Sequence, residues 1–477
     1  PLMPIPANRP ERLLLLCFVA GALAVRLIGI QSKALWWNEG INIWLAGLSL
    51  PDYLDVLWID IHPPFYRLLM LAYVHLSGPS DFATRLFSAW LGVLAVPLTY
   101  QLARPGYGVR TACLAAALMA LSPLAVYHSQ EVNMYTLLLV FGAVGLVATS
   151  RLFAGRRASI WWWAYVGSMS LGLWTHYYAA TNLAAVNLAY GALWAGRSKG
   201  LPGWRAWGAA QTIVVATYLP WVALAGGRIP ADADRTIGGA SLRPTDFAVN
   251  IWSALSIGSP LQPVADAWAL ALLCALLAAG GLLIRPECLG QRALLASAII
   301  VPMTIGILVS FRFPYDAPRF FIILTAACGV LVAAGCRLTA RRWPRWAPLA
   351  TAGALATAAA GTLGVYHQPS LTDDYRPLIR RLAAEGQTGD VVLCTYPWHV
   401  GYVQAYAPGD WQLVFPVPED VDVSAGQADR IWILYYQTPE GAGDYLRQLL
   451  EARSFERTVS SAHEDGRIAL FVRRAGA

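Results

Sequence analysis

The chain has 477 residues, of which 57% are apolar and 13% charged, and its mean hydropathy is positive. A soluble domain of this size cannot keep so much apolar surface from water, so composition excludes a soluble globular protein and makes the bilayer the natural solvent. The net charge is +7, but the basic residues sit at the ends of apolar stretches and not in runs interleaved with aromatics, which leaves nucleic-acid binding without support.

A hydrocarbon core about 30 Å thick takes roughly twenty apolar residues as a helix. On that rule about eleven spans are predicted, at 13–30, 84–104, 108–126, 134–153, 159–175, 177–196, 207–225, 265–284, 292–311, 319–336 and 346–365. The first follows Arg9 and Arg12 and is long enough to be a true span rather than a cleavable signal. Charge alternates between the connections. One set carries Arg104 and Arg110; Arg151, Arg156 and Arg157; Arg197, Lys199 and Arg205; Arg285 and Arg292; Arg337, Arg341, Arg342 and Arg345. The opposite short loops, Tyr127–Asn133 and His176–Tyr178, carry no Lys or Arg. The positive-inside rule then places the N-terminus in the cytoplasm of a multi-pass inner-membrane protein and the C-terminal region outside.

Phe65–Ser77 is too short to cross and would invert the charge pattern if it did, so it is predicted as a helix lying in the outer interface. Residues 1–365 thus form a transmembrane module with two long outer loops, 31–83 and 226–263, and loops of that length are usually functional or disordered. No repeat of 20–50 residues is apparent.

Residues 366–477 read as an extracytoplasmic α/β domain. A helix is predicted at 373–385, strands at 390–395 and 430–436, an amphipathic helix at 443–452 and a last strand at 467–473. This part holds one cysteine, Cys394, so it has no disulfide framework of its own. It shows no glycine-rich phosphate loop and no triad spacing; it reads as a lid or cap, or as a recognition domain.

Polar residues held at a membrane face are costly and point to function. Four stretches converge on the outer face: Leu35-Trp36-Trp37-Asn38-Glu39-Gly40, Asp60-Ile61-His62-Pro63-Pro64-Phe65-Tyr66, Ser129-Gln130-Glu131-Val132-Asn133-Met134-Tyr135 and Thr175-His176-Tyr177-Tyr178. Ordinary solvation accounts for any one of them, but four on one side, with aromatics beside them, point to a site. Pro63 and Pro64 stiffen their loop and open the following helix. Asp60, His62 and Glu39 have the chemistry to hold a divalent metal ion, the one cofactor the sequence leaves open.

The ordered set W-W-N-E, D-x-H-P-P-x-Y, R-L-x-S-A at Arg85–Ala89, L-S-P at Leu121–Pro123 followed by S-Q-E-x-x-M-Y, then T-H-Y-Y and P-R-F at Pro318–Phe320, resembles the family-39-like bacterial membrane glycosyltransferases related to protein O-mannosyltransferases and to the aminoarabinose transferase of lipid A. Asp373-Asp374-Tyr375-Arg376 and Gly389-Asp390-Val391-Val392 extend the likeness into the C-terminal domain.

The resemblance implies the GT-C fold, an all-α polytopic membrane module with a small C-terminal α/β domain. It also implies transfer of a sugar, with inversion, from a polyprenyl-phosphate-linked donor to a lipid, glycan or protein acceptor on the outer face of the membrane. That chemistry needs a base for the acceptor hydroxyl and cations for the carrier phosphate. The family's base is the aspartate of an Asp-Glu pair after the first span, and this chain has Asn38 there. Three readings are open: Glu39 or Asp60 serves as base; the enzyme is weakened; or the chain binds a lipid-linked glycan without turnover. A flippase or other transporter is a further alternative, though such proteins place their polar sites near the midplane.

A second departure is Val132-Asn133, where relatives carry Ala-Arg. Arg312 and Arg319 are the candidates for the carrier phosphate, or they snorkel at the interface. His62, Glu131, His176, Tyr177, Arg85 and Trp37 are assigned to the substrate pocket. His176 reads equally as a core histidine, and Trp36, Trp37 and Trp44 equally as an aromatic belt.

Overall fold

The structure is a computed structural model and describes residues 9–57, 62–227, 243–258, 268–284, 289–311, 318–368, 373–415, 428–436 and 442–474. The apolar and amphipathic segments fold as helices, which satisfy their backbone groups internally. In chain order these are α1 (Arg9–Leu27), α2 (Trp37–Ala46), α3 (Leu50–Leu57), α4 (Phe65–Ser77), α5 (Asp81–Ala120), α6 (Pro123–Ser129), α7 (Tyr135–Phe153), α8 (Ser159–Leu173), α9 (Ala179–Ala195), α10 (Trp204–Ala225), α11 (Pro244–Ser256), α12 (Trp268–Leu283), α13 (Leu289–Ser310), α14 (Thr325–Arg342) and α15 (Ala347–Tyr366). A 3₁₀ turn, Pro318–Leu324, leads into α14.

Every predicted span overlaps helical residues, though with different bounds. Among the described residues, six stretches are long and apolar enough to cross a bilayer: Asp81–Ala120, Tyr135–Phe153, Trp204–Ala225, Gly290–Ser310, Pro318–Arg342 and Pro344–Tyr366. The spans predicted at 84–104 and 108–126 are one continuous element, α5, which changes direction at Gly108, where φ is 76°. That left-handed conformation favours glycine. The second half stops at Ala120, short of the predicted end. Ser122 then caps α6 by accepting the Ala125 N–H, with Pro123 in the first turn.

Three helices fold within the predicted 31–83 loop. The predicted interfacial helix has the bounds of α4, and it buries Tyr66, Arg67, Met70 and Val74.

The C-terminal region carries α16 (Arg376–Glu385), α17 (Pro397–Tyr406) and α18 (Ala442–Ala452) with β1 (Val391–Cys394), β2 (Gln412–Val414), β3 (Arg430–Tyr436), β4 (Phe455–His463) and β5 (Gly466–Arg473). The sheet order is β2-β1-β3-β5-β4. β1 runs parallel to β2 and β3, and β5 is antiparallel to β3 and β4. The register aligns Val392, Trp432 and Leu470 on one face, against α16 and α17. Val391, Ile431 and Phe471 line the other face, against Leu446 and Leu450 of α18.

Three of these elements escape the sequence reading. α17 buries His399, Val400, Gly401, Tyr402, Val403 and Ala405, because it is covered by the sheet on one side and by α2 on the other, so it has no amphipathic stripe to find. β4 is a polar edge strand, and β2 has only three residues.

α17 fastens this domain to the loop after α1. Gly401 lies so close to α2 that an added Cβ would stand 1.9 Å from the Gly40 carbonyl oxygen. The Leu35 N–H donates to the Tyr406 hydroxyl at 2.7 Å, and Arg376 Nη1 donates to the Gln31 carbonyl at 3.0 Å.

Candidate active site

α2 begins at the W-W-N-E motif, and Glu39 in its first turn folds back to accept the Trp36 N–H at 3.2 Å, part of a capping box. Arg85, from the second turn of α5, meets the same carboxylate with both arms, Nε on Oε1 and Nη2 on Oε2, each at 2.9 Å. The Val132 N–H adds a fourth donor at 2.9 Å. Both side chains are 2% exposed. Burial pushes the Glu39 carboxyl up and the Arg85 guanidinium pulls it back; four donors around two oxygens fit the anion. In this arrangement every lone pair of the Glu39 carboxylate faces a donor. Arg85, expected in the pocket, spends its remaining arm on the carbonyls of Ile30 and Lys33, at 2.8 and 3.0 Å.

The S-Q-E stretch is held just as firmly. Arg26 Nε donates to Ser129 at 3.1 Å, Gln130 Nε2 to the Ile28 carbonyl at 2.7 Å, and Asn42 Nδ2 to the Val132 carbonyl at 2.8 Å. Arg67 Nε donates to Asn42 at 3.3 Å. Within this frame Glu131 Oε2 lies 2.7 Å from His128 Nδ1, and both side chains are buried. Tyr127 hydrogen-bonds to Glu131 as well. The Lys33 ammonium sits 4.8 Å above the Tyr127 ring; burial pushes it down to about 8, while Glu131 pulls it back up. Asn133 Oδ1 accepts the Met134 N–H at 2.9 Å, and its Nδ2 is buried without a hydrogen-bond partner among the described residues.

Arg319 reaches the same region from the 3₁₀ turn. Its guanidinium carbon lies 5.9 Å from the rings of Trp36 and Tyr135 and 5.4 Å from Phe320. Its Nε is buried with no hydrogen-bond acceptor among the described residues. Aromatic faces attract a cation without using its N–H donors, so this guanidinium is oriented but still able to bind an anion.

His176 is buried against Phe320 and Tyr135, with ring centroids 4.9 and 5.9 Å away. Its Nδ1 accepts the Tyr178 N–H at 3.1 Å. Burial, helped by nearby His62 and Arg319, drives it down to about 3. The Tyr177 hydroxyl accepts from Trp221 at 3.2 Å. Trp37 is 44% exposed and turns an edge toward Trp398 at 6.5 Å. Asn38 and His62 are half-buried.

Glu39, Arg85, Glu131, His176 and Arg319 are thus brought into one neighbourhood, through Val132, Trp36 and Tyr135. Asp60 and Arg312 lie outside the described residues, and so does any metal set that includes Asp60. Among the described residues no three His, Cys, Asp or Glu side chains form a metal-binding group. Sequence reasoning missed Arg26, Lys33, Asn42, Arg67 and His128. Arg26 had a legible signal, an arginine inside a predicted span; His128 had a weaker one, three residues before Glu131.

This architecture, a helical membrane module carrying a small α/β domain beside a buried acidic and basic cluster, is the GT-C fold, which membrane glycosyltransferases share. Residues 61–223 match the family model described as dolichyl-phosphate-mannose-protein mannosyltransferase. The structure is similar to ArnT from Cupriavidus metallidurans bound to undecaprenyl phosphate, with a TM-score of 0.59 and 14% identity over 95% of this chain and 97% of that one. The apo state of the same protein gives a TM-score of 0.60 at 14% identity, with the same coverage of both chains. The archaeal oligosaccharyltransferase AglB from Archaeoglobus fulgidus, in complex with an inhibitory peptide and a dolichol-phosphate, gives 0.55 at 11% identity over 94% of this chain and 72% of that one. No curated protein matches the chain by sequence.

Proposed function

We propose that the chain transfers a glycosyl group from a polyprenyl-phosphate-linked donor to an acceptor on the extracytoplasmic side of the inner membrane, with residues 366–477 on that same side. The observation that carries this reading is Arg319, a partly buried guanidinium framed by three aromatic rings, whose Nε has no acceptor among the described residues. A phosphate diester supplies what such a group lacks, an anion with several acceptor oxygens, and a leaving phosphate gains negative charge as the glycosidic bond breaks. ArnT bound to undecaprenyl phosphate and AglB with dolichol-phosphate, both of this fold, support the same class of carrier. Glu39 and Arg85 act as a positioning pair that fixes the loop beneath the pocket.

The test is binding of undecaprenyl phosphate to the purified chain in nanodiscs, together with release of sugar from undecaprenyl phosphates bearing different hexoses and pentoses. Arg319→Ala is expected to weaken lipid binding by about tenfold or more, the scale of a charged hydrogen bond. Equal affinity in wild type and variant would refute the assigned phosphate site. Binding without any sugar release would favour a non-catalytic lipid-linked-glycan binder.

A further inference from the structure

Resting on the transferase reading, we propose that His128, oriented by Glu131, takes the proton from the acceptor hydroxyl.

The reaction needs a group with a free lone pair, and the side chains near the site narrow the choice. Asn38 is an amide and cannot take a proton near neutral pH. Glu39 has four donors on its two oxygens. His176 already uses Nδ1 as an acceptor and is held down near 3, too weak to compete for a proton. Asp60 lies outside the described residues.

His128 differs from Asn38, Glu39 and His176. A carboxylate can only accept, so the 2.7 Å contact with Glu131 places the hydrogen on Nδ1 and leaves the lone pair on Nε2. Glu131 is itself steadied by Tyr127, with the Lys33 ammonium above that ring. An imidazole held at Nδ1 by a carboxylate keeps one tautomer, with Nε2 as the proton acceptor, which is what a general base requires.

Position agrees with chemistry. The His128 ring lies 4.9 Å from the Tyr135 ring, and the Arg319 guanidinium carbon is 5.9 Å from the same ring. The base and the phosphate grip therefore both border Tyr135, so a sugar whose phosphate rested on Arg319 would be brought toward the imidazole.

In the step, the acceptor oxygen forms a bond to the anomeric carbon while its proton passes to His128 Nε2. The bond from that carbon to the phosphate oxygen breaks, and its electron pair leaves on the polyprenyl phosphate beside Arg319. The imidazolium is stabilised by Glu131 through Nδ1–H. The titratable groups nearest the imidazole are Glu131, Tyr127 and Tyr135, with Lys33, Glu39 and Arg319 beyond them.

The experiment compares wild type, His128→Gln and Glu131→Gln in nanodiscs, measuring kcat against pH for sugar release from undecaprenyl-phosphate-linked hexoses and pentoses, and undecaprenyl phosphate binding in parallel. His128→Gln is expected to lower kcat by about a hundredfold or more, with lipid binding unchanged. Glu131→Gln removes the supporting charge, so the acidic limb of the profile should move to lower pH as kcat falls; a merely structural carboxylate would leave that limb in place. Activity of His128→Gln within about fivefold of wild type, well short of a general base's share, or an unmoved limb in Glu131→Gln, overturns the proposal. Should His128→Gln not fold, the limb in Glu131→Gln decides alone. A wild-type chain that neither binds undecaprenyl phosphate nor releases sugar overturns the transferase reading instead, and the dyad with it.

Discussion

Gly40 and Gly401 cross backbone to backbone, so the loop helix after the first span and a helix of the C-terminal domain pack with no side chain between them. Gly401→Ala puts a methyl where the Gly40 carbonyl stands. Overpacking of this kind costs about 1–3 kcal/mol, so thermal unfolding in detergent should begin several degrees lower. Gly364→Ala, with open space around its Cβ, is the control. Identical melting of Gly401→Ala and the control would disprove the close crossing.

The Glu39–Arg85 pair makes a stability prediction distinct from any catalytic one. Removing one partner strands a buried charge, which costs about 3–5 kcal/mol. Glu39→Leu and Arg85→Met should each reduce the folded yield sharply, and the double variant should recover part of the loss. A double variant whose loss equals the sum of the singles would mean that the two side chains do not depend on each other.

Stability should also respond to acid through His399. Burial lowers it from 6.5 to about 3, so between those values the unfolded chain takes up a proton that the folded chain refuses. The sign follows: stability is full above about pH 6.5, declines as pH falls, and levels off near pH 3. His399→Phe, of similar size among Tyr375, Tyr396 and Tyr402, should flatten that part of the denaturation curve of the C-terminal domain. An unchanged slope would count against it.

Asn38→Asp installs the aspartate that the family resemblance implies at this position. With the proton handled by His128, the change should alter kcat by less than about threefold, well below the roughly hundredfold scale of a general base. A rise of about tenfold or more would instead identify the chain as a weakened transferase. The measurement is single-turnover sugar release.

The helices were legible because a stretch that is apolar on every side must bury its backbone polar groups along with its side chains, and a helix does so within one segment. Arg319 was legible because Pro318-Arg319-Phe320 stands out as a motif, but the 3₁₀ turn that carries it was not, since 319–336 reads as one apolar span. Pairing was not legible. Glu39 and Arg85 were each singled out, yet they lie 46 positions apart, and nothing local says that one saturates the other. His128 was hidden by its own good packing, since a histidine beside a tyrosine in an apolar stretch looks like core. The domain junction was hidden for a related reason: α17 is covered on both sides, and sequence periodicity reports only helices with one wet face.

Leu35 and Tyr406 are 371 positions apart and share a hydrogen bond. The ribosome therefore makes the helix after α1 long before the helix that clasps it. Until the clasp arrives, the glycine face of α2 has nothing to close against. A chain cut between the two helices would leave that face open, so the junction closes only once both have been made.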